Sequence, residues 1–347
     1  MGATAPELAR GVCGMSSDAE RTRGMSSEAG EELLDELRPT SFAIAYRMLG
    51  SVAEAEDVVQ ESLLRVHGAL EAGEQIDSPR AFVATITTRL AIDELRSARA
   101  RRERYVGDWL PEPILTDSRD DPAEHAEIAD SLSMAMLVLL ETLSPEQRAV
   151  LLLRDVFDYG YGEIAAIVGK SEDNVRQLAT RARAHVEAGR PRFRTTREQR
   201  DELARRFFAA VNEGDLAGLE ALLADDVVLT GDGGGKVPAL ARALQGRSRV
   251  ARALANWVKL GARIPGAWLR QVEVNGMPGA LLLDADGCLL GVWELEIGAG
   301  GIQGINSVVN PEKLAHLGPL ADVGALLRAS VASRRGGDVT SSDTTPR

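Results

Sequence analysis

Asn174, Arg176, Gln177, Arg181 and Arg183 fall within ten residues of one another, in EDNVRQLATRAR. Arg and Gln each present paired hydrogen-bonding groups in one plane, the pattern that matches a base edge. The chemistry on offer is recognition of nucleic acid rather than the making or breaking of bonds. Such side chains need a rigid support. Val175, Leu178, Ala179 and Ala182 recur at i, i+3, i+4 and i+7, which puts them on one face of a helix and turns the polar set outward. A shorter helix, Tyr161 to Val168, precedes it with Ile164, Ala165 and Val168 inward. Gly169 suits the left-handed backbone that ends a helix, Ser171 is a good N-cap, and Glu172 and Asp173 suit the positive N-terminal end of the next helix. This is the layout of a helix-turn-helix whose second helix enters a major groove. An ordinary helical hairpin with a solvated basic face fits the same pattern.

A second basic island lies at 79–104, PRAFVATITTRLAIDELRSARARRER. Pro79 suits a first helical turn and Ser78 or Asp77 can cap it. Phe82, Ile86 and Leu90 define the expected buried stripe. Five arginines between positions 96 and 104 exceed what complementing a helix dipole needs, so phosphate contact is the better explanation. Upstream, an apolar helix from Thr40 to Leu49 ends at Gly50. Ser51 then caps a helix whose inward stripe is Val58, Val59, Ser62, Leu63 and Val66. Glu54, Glu56, Asp57, Gln60, Glu61 and Arg65 lie mostly outside that stripe, either as a solvated face or as a docking surface for a basic partner.

The 347-residue chain carries a net charge of −12. Its distribution reconciles that figure with nucleic-acid binding. Residues 31–77 are net −8, 78–104 net +4, 105–147 net −9 and 148–196 net +3. Acidic blocks flanking both basic islands repel phosphate over about a Debye length, so the isolated chain is expected to bind DNA weakly. Two cysteines, Cys13 and Cys288, have no metal-ligand spacing, which points to a reduced cytoplasmic setting. No apolar run approaches the roughly 20 residues of a membrane span. Residues 1–30 read as a disordered leader and 333–347, rich in Gly, Ser, Thr and Asp, as a disordered tail.

After position 195 the pattern changes. An amphipathic helix carrying Leu203, Phe207, Phe208 and Val211 leads to a second helix, LAGLEALLA, and then to strands ending in GVWELEIGAGGIQGINSVVN, with Asp286-Gly287 as a hairpin turn. Helices followed by a curved antiparallel sheet form a cone with an internal pocket. Asp232, Lys236 and His316 are the residues there with acid–base chemistry, but no base–orienter pair is legible. Gly233, Gly234 and Gly235 lack a phosphate-loop spacing and suit a tight turn approached closely by another segment. A regulatory ligand pocket and a protein-contact module remain as alternatives. Between the two basic islands, WLPEP and DSRDDPAEHAE disfavour a packed element, yet Trp109 calls for a surface to cover it. That surface is either one of the helical domains or the C-terminal domain.

The order AYRMLGSVAEAEDVVQESLLRV, SPRAFVATITTRLAIDELR, then LETLSPEQRAVLLLRDVFDYGYGEIAAIVGKSEDNVRQLATRARAHV resembles a bacterial extracytoplasmic-function sigma factor, regions 2 and 4. With WLPEP, DGGGK and NPEKL it is similar to the subgroup carrying a fused SnoaL-like domain, the sigma factor J type. The resemblance implies two all-α sigma domains plus an α+β cone, divided as leader 1–30, region 2 at 31–104, linker 105–130, region 4 at 131–194, SnoaL-like domain 195–332 and tail 333–347. It implies that Glu56, Asp57, Gln60, Glu61 and Leu64 dock on core RNA polymerase, with the β′ and β subunits as partners. Arg80, Arg89, Asp93 and Arg96 are then the contacts to the −10 promoter element. Asn174, Arg176, Gln177 and Arg181 are those to the −35 element, with Arg183 nearer the phosphates. An interdomain regulatory set follows: Trp109, Leu110, Pro111, Glu112 and Pro113; Asp232, Gly233, Gly234, Gly235 and Lys236; Asn310, Pro311, Glu312, Lys313 and Leu314. No metal, cofactor or catalytic residue is implied, and a small-molecule ligand in the C-terminal domain stays open. The competing readings are a ligand-responsive regulator that binds DNA unaided and a SnoaL-like cyclase or isomerase.

Overall fold

A computed structural model describes residues 27–102, 105–116, 131–189, 195–261, 264, 266–323 and 325–326. The expected tail, and the expected leader up to residue 26, lie outside these. The chain forms two units, one built from residues up to 104 and 135–190, the other from 105–134 and 191–347.

In the first unit, α1 (Ser27–Leu49), α2 (Val52–Glu71) and α3 (Pro79–Arg102) pack as a bundle. Helix α1 begins inside the expected leader and runs through Pro39 instead of starting at Thr40. A helix-interior proline costs about 3 kcal/mol. Burial of Leu37, Ile44, Ala45, Met48 and Leu49 in the bundle outweighs it. Ser51 caps α2 through the Glu54 amide at 3.2 Å. The buried stripe of α3 is Val83, Ala84, Thr87, Thr88, Ala91, Ile92 and Leu95, whereas Phe82, Ile86 and Leu90 are half-buried. The threonines explain the offset. Thr87 Oγ1 lies 2.8 Å from Ser41 Oγ and donates to Ser62 Oγ at 3.1 Å, so hydroxyls satisfy one another in the centre of the bundle.

The same unit holds α4 (Met134–Leu140) from Ala135 onward, α5 (Pro145–Asp155), α6 (Tyr161–Val168) and α7 (Glu172–Gly189). A capping box between Ser144 and Gln147, with Pro145 in the first turn, starts α5. Gly169 ends α6 at φ 65°, and Ile164, Ile167, Val175 and Ala179 close the helix-turn-helix core with Val150 and Leu153 of α5.

The second unit is built on a sheet. Helices α8 (Arg197–Glu213), α9 (Leu216–Leu222) and α10 (Arg247–Gly261) cover one face. Among the described residues the sheet has the order β1-β4-β5-β6-β7-β2-β3: β1 Leu115–Thr116, β2 Leu223–Asp232, β3 Leu244–Gln245, β4 Trp268–Val274, β5 Met277–Leu283, β6 Leu289–Gly298 and β7 Gly301–Val308. The expected all-antiparallel sheet is corrected at one pair, because β2 runs parallel to β7. Short turns force β4 to β7 into an antiparallel meander. The crossover through α10 leaves β2 free to pair beside its last strand in either direction. Phe207, Phe208, Leu229, Trp293, Leu295 and Ile305 fill the interior under the helices. On the opposite face, Val274, Leu281, Val292 and Val308 meet Leu110 and Met134 from the segment between the basic islands, and Leu314 of α11 (Pro311–Leu314). That segment also adds β1, which pairs with β4 through Leu115–Val274 and Thr116–Glu273. Two residues with no exceptional composition leave no strand signal in a sequence.

Candidate nucleic-acid interface and linker clamp

Helix α7 presents Asn174, Arg176, Gln177, Thr180 and Arg181 exposed, with Val175, Ala179, Ala182 and Val186 buried beneath them. Arg176 is ion-paired with Glu172 one turn away and stacks over the Tyr161 ring at 4.5 Å. Arg183 behaves differently from the other four. Its guanidinium is held by both carboxylate oxygens of Asp155 and by the Tyr161 hydroxyl at 3.4 Å, which pushes its pKa further up. It braces the motif against α5.

The α3 residues also separate. Arg80 is exposed. Arg89 donates to the carbonyls of Ile167 and Ala166, both at 2.9 Å, and so satisfies carbonyls at the C-terminal end of α6. Arg96 bonds Asp93 at 3.0 Å and Glu146 at 2.7 Å. The side chains of Arg99, Arg101, Arg102 and Arg104 lie outside the described residues. On α2, Glu56, Asp57, Gln60, Glu61 and Leu64 are all exposed along one face. Leu64 is 59 % exposed at the C-terminal end of this acidic stripe.

In the second unit the three regulatory motifs converge on one carboxylate. Asp232, at the end of β2, is fully buried. Its Oδ1 accepts from the Tyr105 hydroxyl at 2.5 Å and the Gly234 amide at 3.1 Å; its Oδ2 accepts from the Leu110 amide at 2.9 Å and Lys313 Nζ at 2.7 Å. Lys313 is buried, also donates to the Leu110 carbonyl, and lies over the Trp109 and Tyr105 rings at 4.4 and 4.8 Å. Burial, then the bond to Asp232, raises the Tyr105 pKa. Asn310 caps α11 through the Glu312 amide and donates to Tyr105 at 2.9 Å. Lys236 pairs with Glu312 at the surface, 2.9 Å apart. Pro111 and Pro113 are buried, and the Pro113 carbonyl lies 2.8 Å from His316 Nε2.

Asp232 is therefore a tie, with both oxygens engaged, and not a poised base. The Trp109 surface is the C-terminal domain. Two members of the clamp had no sequence signal. Tyr105 stands alone after the arginines. Asn275 sits at φ 52° in the β4–β5 turn, where its type reads as turn chemistry, yet its side chain accepts from the Ile114 amide at 3.1 Å and donates to the Leu132 carbonyl at 2.9 Å.

Gly234 is where the clamp tolerates no side chain. Its φ is +56°, and a Cβ would lie 2.3 Å from Asn310 Nδ2 and 3.0 Å from the Tyr105 hydroxyl. Gly234→Ala is expected to weaken the seating of the linker by about 1–3 kcal/mol through backbone strain alone. Loss of hydrogen-exchange protection at the Leu110 amide measures it, and unchanged protection would show that the turn adapts.

Among the described residues, no helix is long and apolar enough to cross a membrane. No group of three or more His, Cys, Asp and Glu is placed to hold a metal.

Comparison with known proteins agrees with this geometry. Residues 33–101 match the Sigma-70 region 2 family, 133–186 the Sigma-70 region 4 family and 204–277 the SnoaL-like domain family. The ECF RNA polymerase sigma factor SigJ of Mycobacterium tuberculosis is 40 % identical over 247 residues, 70 % of this chain and 78 % of the relative. A probable ECF RNA polymerase sigma factor of the same species, SigI, is 33 % identical over 275 residues, 78 % of this chain and 90 % of the relative. The crystal structure of M. tuberculosis SigJ superposes with a TM-score of 0.64 at 33 % identity, covering 84 % of this chain and 98 % of that one. The chain belongs to the ECF RNA polymerase sigma factors, in the form that carries a SnoaL-like domain after region 4.

Proposed function

We propose that this chain directs core RNA polymerase to promoters with distinct −10 and −35 elements, and that its C-terminal domain controls the process by gripping the linker between the two reading domains. The exposed face of α2 docks on the polymerase: four polar or acidic groups lead along one face to Leu64, an apolar residue that gains from being covered. Helix α7 reads the upstream element through Asn174, Arg176, Gln177 and Arg181, and α3 meets the downstream element. The observation that carries the regulatory part is the clamp on Asp232 and Lys313, which fastens residues 105–114 to the sheet.

The bonds of Arg89 and Arg96 add a second feature. Elements about 25 base pairs apart lie roughly 80 Å apart at ~3.4 Å per pair. Helix α3 cannot keep Glu146 and the α6 carbonyls while the two reading elements span that distance. The arrangement with Arg89 and Arg96 satisfied within the chain is thus a closed state, and engagement of a promoter exchanges those partners for phosphates. The reading requires no ligand in the C-terminal domain and places the protein wherever polymerase works, in the cytoplasm.

Core polymerase is expected to be required for specific promoter binding, because acidic blocks flank both basic islands. Promoter-selective transcripts from the chain with core enzyme, and none without it, are the expected result. Nanomolar sequence-specific binding by the free chain at physiological salt would overturn the proposal in favour of an autonomous regulator. Removal of residues from about 198 onward tests the cis control. Transcription should change while core affinity persists, whereas equal transcription with and without the domain would exclude a regulatory grip.

A further inference from the structure

We propose that Glu294, Asn306 and Glu296 form a pH-sensitive latch beneath the end of the linker, seating residues 131–134 on the sheet while the carboxyl pair holds a proton and releasing them when both carboxyls ionise.

The placement follows from strand alternation. Trp293, Leu295 and Ile297 of β6 point into the helix-covered core, so Val292, Glu294 and Glu296 point to the face the linker covers. Glu294 is fully buried and Glu296 half-buried. Asn306, opposite Glu294 on β7, donates its side-chain amide to Glu294 Oε2 and to Glu296 Oε1, both at 2.8 Å. Its two hydrogens are then spent. Glu294 Oε1 is buried without a hydrogen-bond partner. Met134, itself fully buried, turns its backbone amide toward the same carboxyl. Leu132 is held nearby by Asn275.

Among the described residues neither carboxyl forms an ion pair; Arg200 of α8, which packs on β5 and β6, is engaged with Met277 Sδ at 3.3 Å. Strands β5 and β7, residues 131–134 and α4 contain no charged residue. Strand β2 contributes Asp232, taken by Lys313, with Asp225 and Asp226 exposed. Strand β4 contributes Arg270, exposed, and Glu273, paired with Arg197 at 3.1 Å. Two carboxylates sharing one amide donor, one of them fully buried, are therefore unstable as a doubly charged pair. Burial first, and then the charge of Glu296, pushes Glu294 up to about 8; burial also raises Glu296.

The sign follows from linkage. The seated state holds a proton that an opened, hydrated pair would release at ordinary carboxyl pH. The stabilisation is full below that range, falls by up to about tenfold per pH unit as pH rises, and is lost above about 8. Neutral pH lies inside this window. Met134 is also where the chain enters α4, the first helix leading to the helix-turn-helix. Releasing 131–134 would lengthen the tether ahead of the reading helices.

Two measurements on the full-length chain test the latch. The infrared carbonyl band of a protonated carboxyl should persist at pH 7 in the wild type and disappear in Glu294→Gln. Hydrogen exchange over residues 131–134, corrected for intrinsic rates, should show protection falling about fivefold between pH 7 and pH 8 in the wild type. In Glu294→Gln that protection should stay flat, and β6 amides should stay protected in both. Absence of the band in the wild type, pH-independent protection at 131–134, the same loss in the variant, or loss across the whole sheet would each overturn it. If Glu294→Gln does not fold, the wild-type band and exchange profile decide, with Glu296→Gln as the second variant.

Discussion

Lys313→Ala is expected to unfasten the linker from the C-terminal domain, at a cost of about 3–5 kcal/mol in the seated state. Lys313 and Asp232 are 8 % and 0 % exposed, so neither charge is shared with water. Removing the ammonium leaves the Asp232 carboxylate buried with three neutral donors, from Tyr105, Leu110 and Gly234, and no cation. It also strips the Leu110 carbonyl of a donor and the Trp109 and Tyr105 rings of the cation over their faces. The penalty arises from the orphaned charge more than from the lost pair. Replacing both residues, Asp232→Asn with Lys313→Met, should therefore recover part of the loss. Hydrogen-exchange protection at the Leu110 amide reads the opening directly, with an expected drop of hundreds- to thousands-fold in Lys313→Ala. A drop under about tenfold, or strict additivity in the double variant, would show that the ion pair does not hold the linker. Transcription by the same variants then reports whether the grip matters for initiation.

Arg176→Ala combined with Gln177→Ala should nearly abolish selection of the upstream promoter element while core polymerase affinity is unchanged. Each side chain is exposed on α7, opposite the buried Val175, Ala179 and Ala182, so truncation leaves the motif's core intact. Each lost base contact costs roughly 1–3 kcal/mol, and two neighbouring contacts compound to a factor of about 10² or more. Arg176 carries an ordering cost that Gln177 does not, because it must leave Glu172 and the Tyr161 ring to reach a base. Arg183→Ala serves as the contrast. Arg183 is bound to Asp155, so its loss should lower the stability of the helix-turn-helix rather than alter base preference. Unchanged promoter selectivity in the double variant, or altered selectivity in Arg183→Ala with stability intact, would reverse these roles.

Features set by neighbours within a turn or two were legible in the residues. Gly169 and Ser171 marked the turn of the helix-turn-helix. The i, i+3, i+4, i+7 stripe of Val175, Leu178, Ala179 and Ala182 turned Asn174, Gln177 and Arg181 outward. The same periodicity left Glu56, Asp57, Gln60 and Glu61 on one open face of α2, and the family resemblance added Leu64. Capping and amphipathicity act over at most a few residues, so composition and spacing suffice to state them. The spacing of apolar residues misplaced the inward face of α3, because Thr87 and Thr88 are buried there and count as polar until Ser41 and Ser62 are known to face Thr87.

Partner choice across long separations was decided by the tertiary structure alone. Arg89 finds the Ile167 carbonyl 78 residues away, and Tyr105 finds Asp232 at a separation of 127. No local pattern distinguishes an arginine that will meet phosphate from one that will meet a helix end, since the guanidinium donates to either acceptor. The parallel pairing of β2 with β7 likewise depends on how the chain returns through α10. WLPEP announced that Trp109 needed cover, but only the folded sheet determined which surface provides it. Around Leu110 that face of the sheet is apolar apart from the buried Lys313–Asp232 pair. Prolines 111 and 113, which give up backbone donors, can be buried there at low cost, while the amides of Leu110 and Ile114 fall on Asp232 and Asn275.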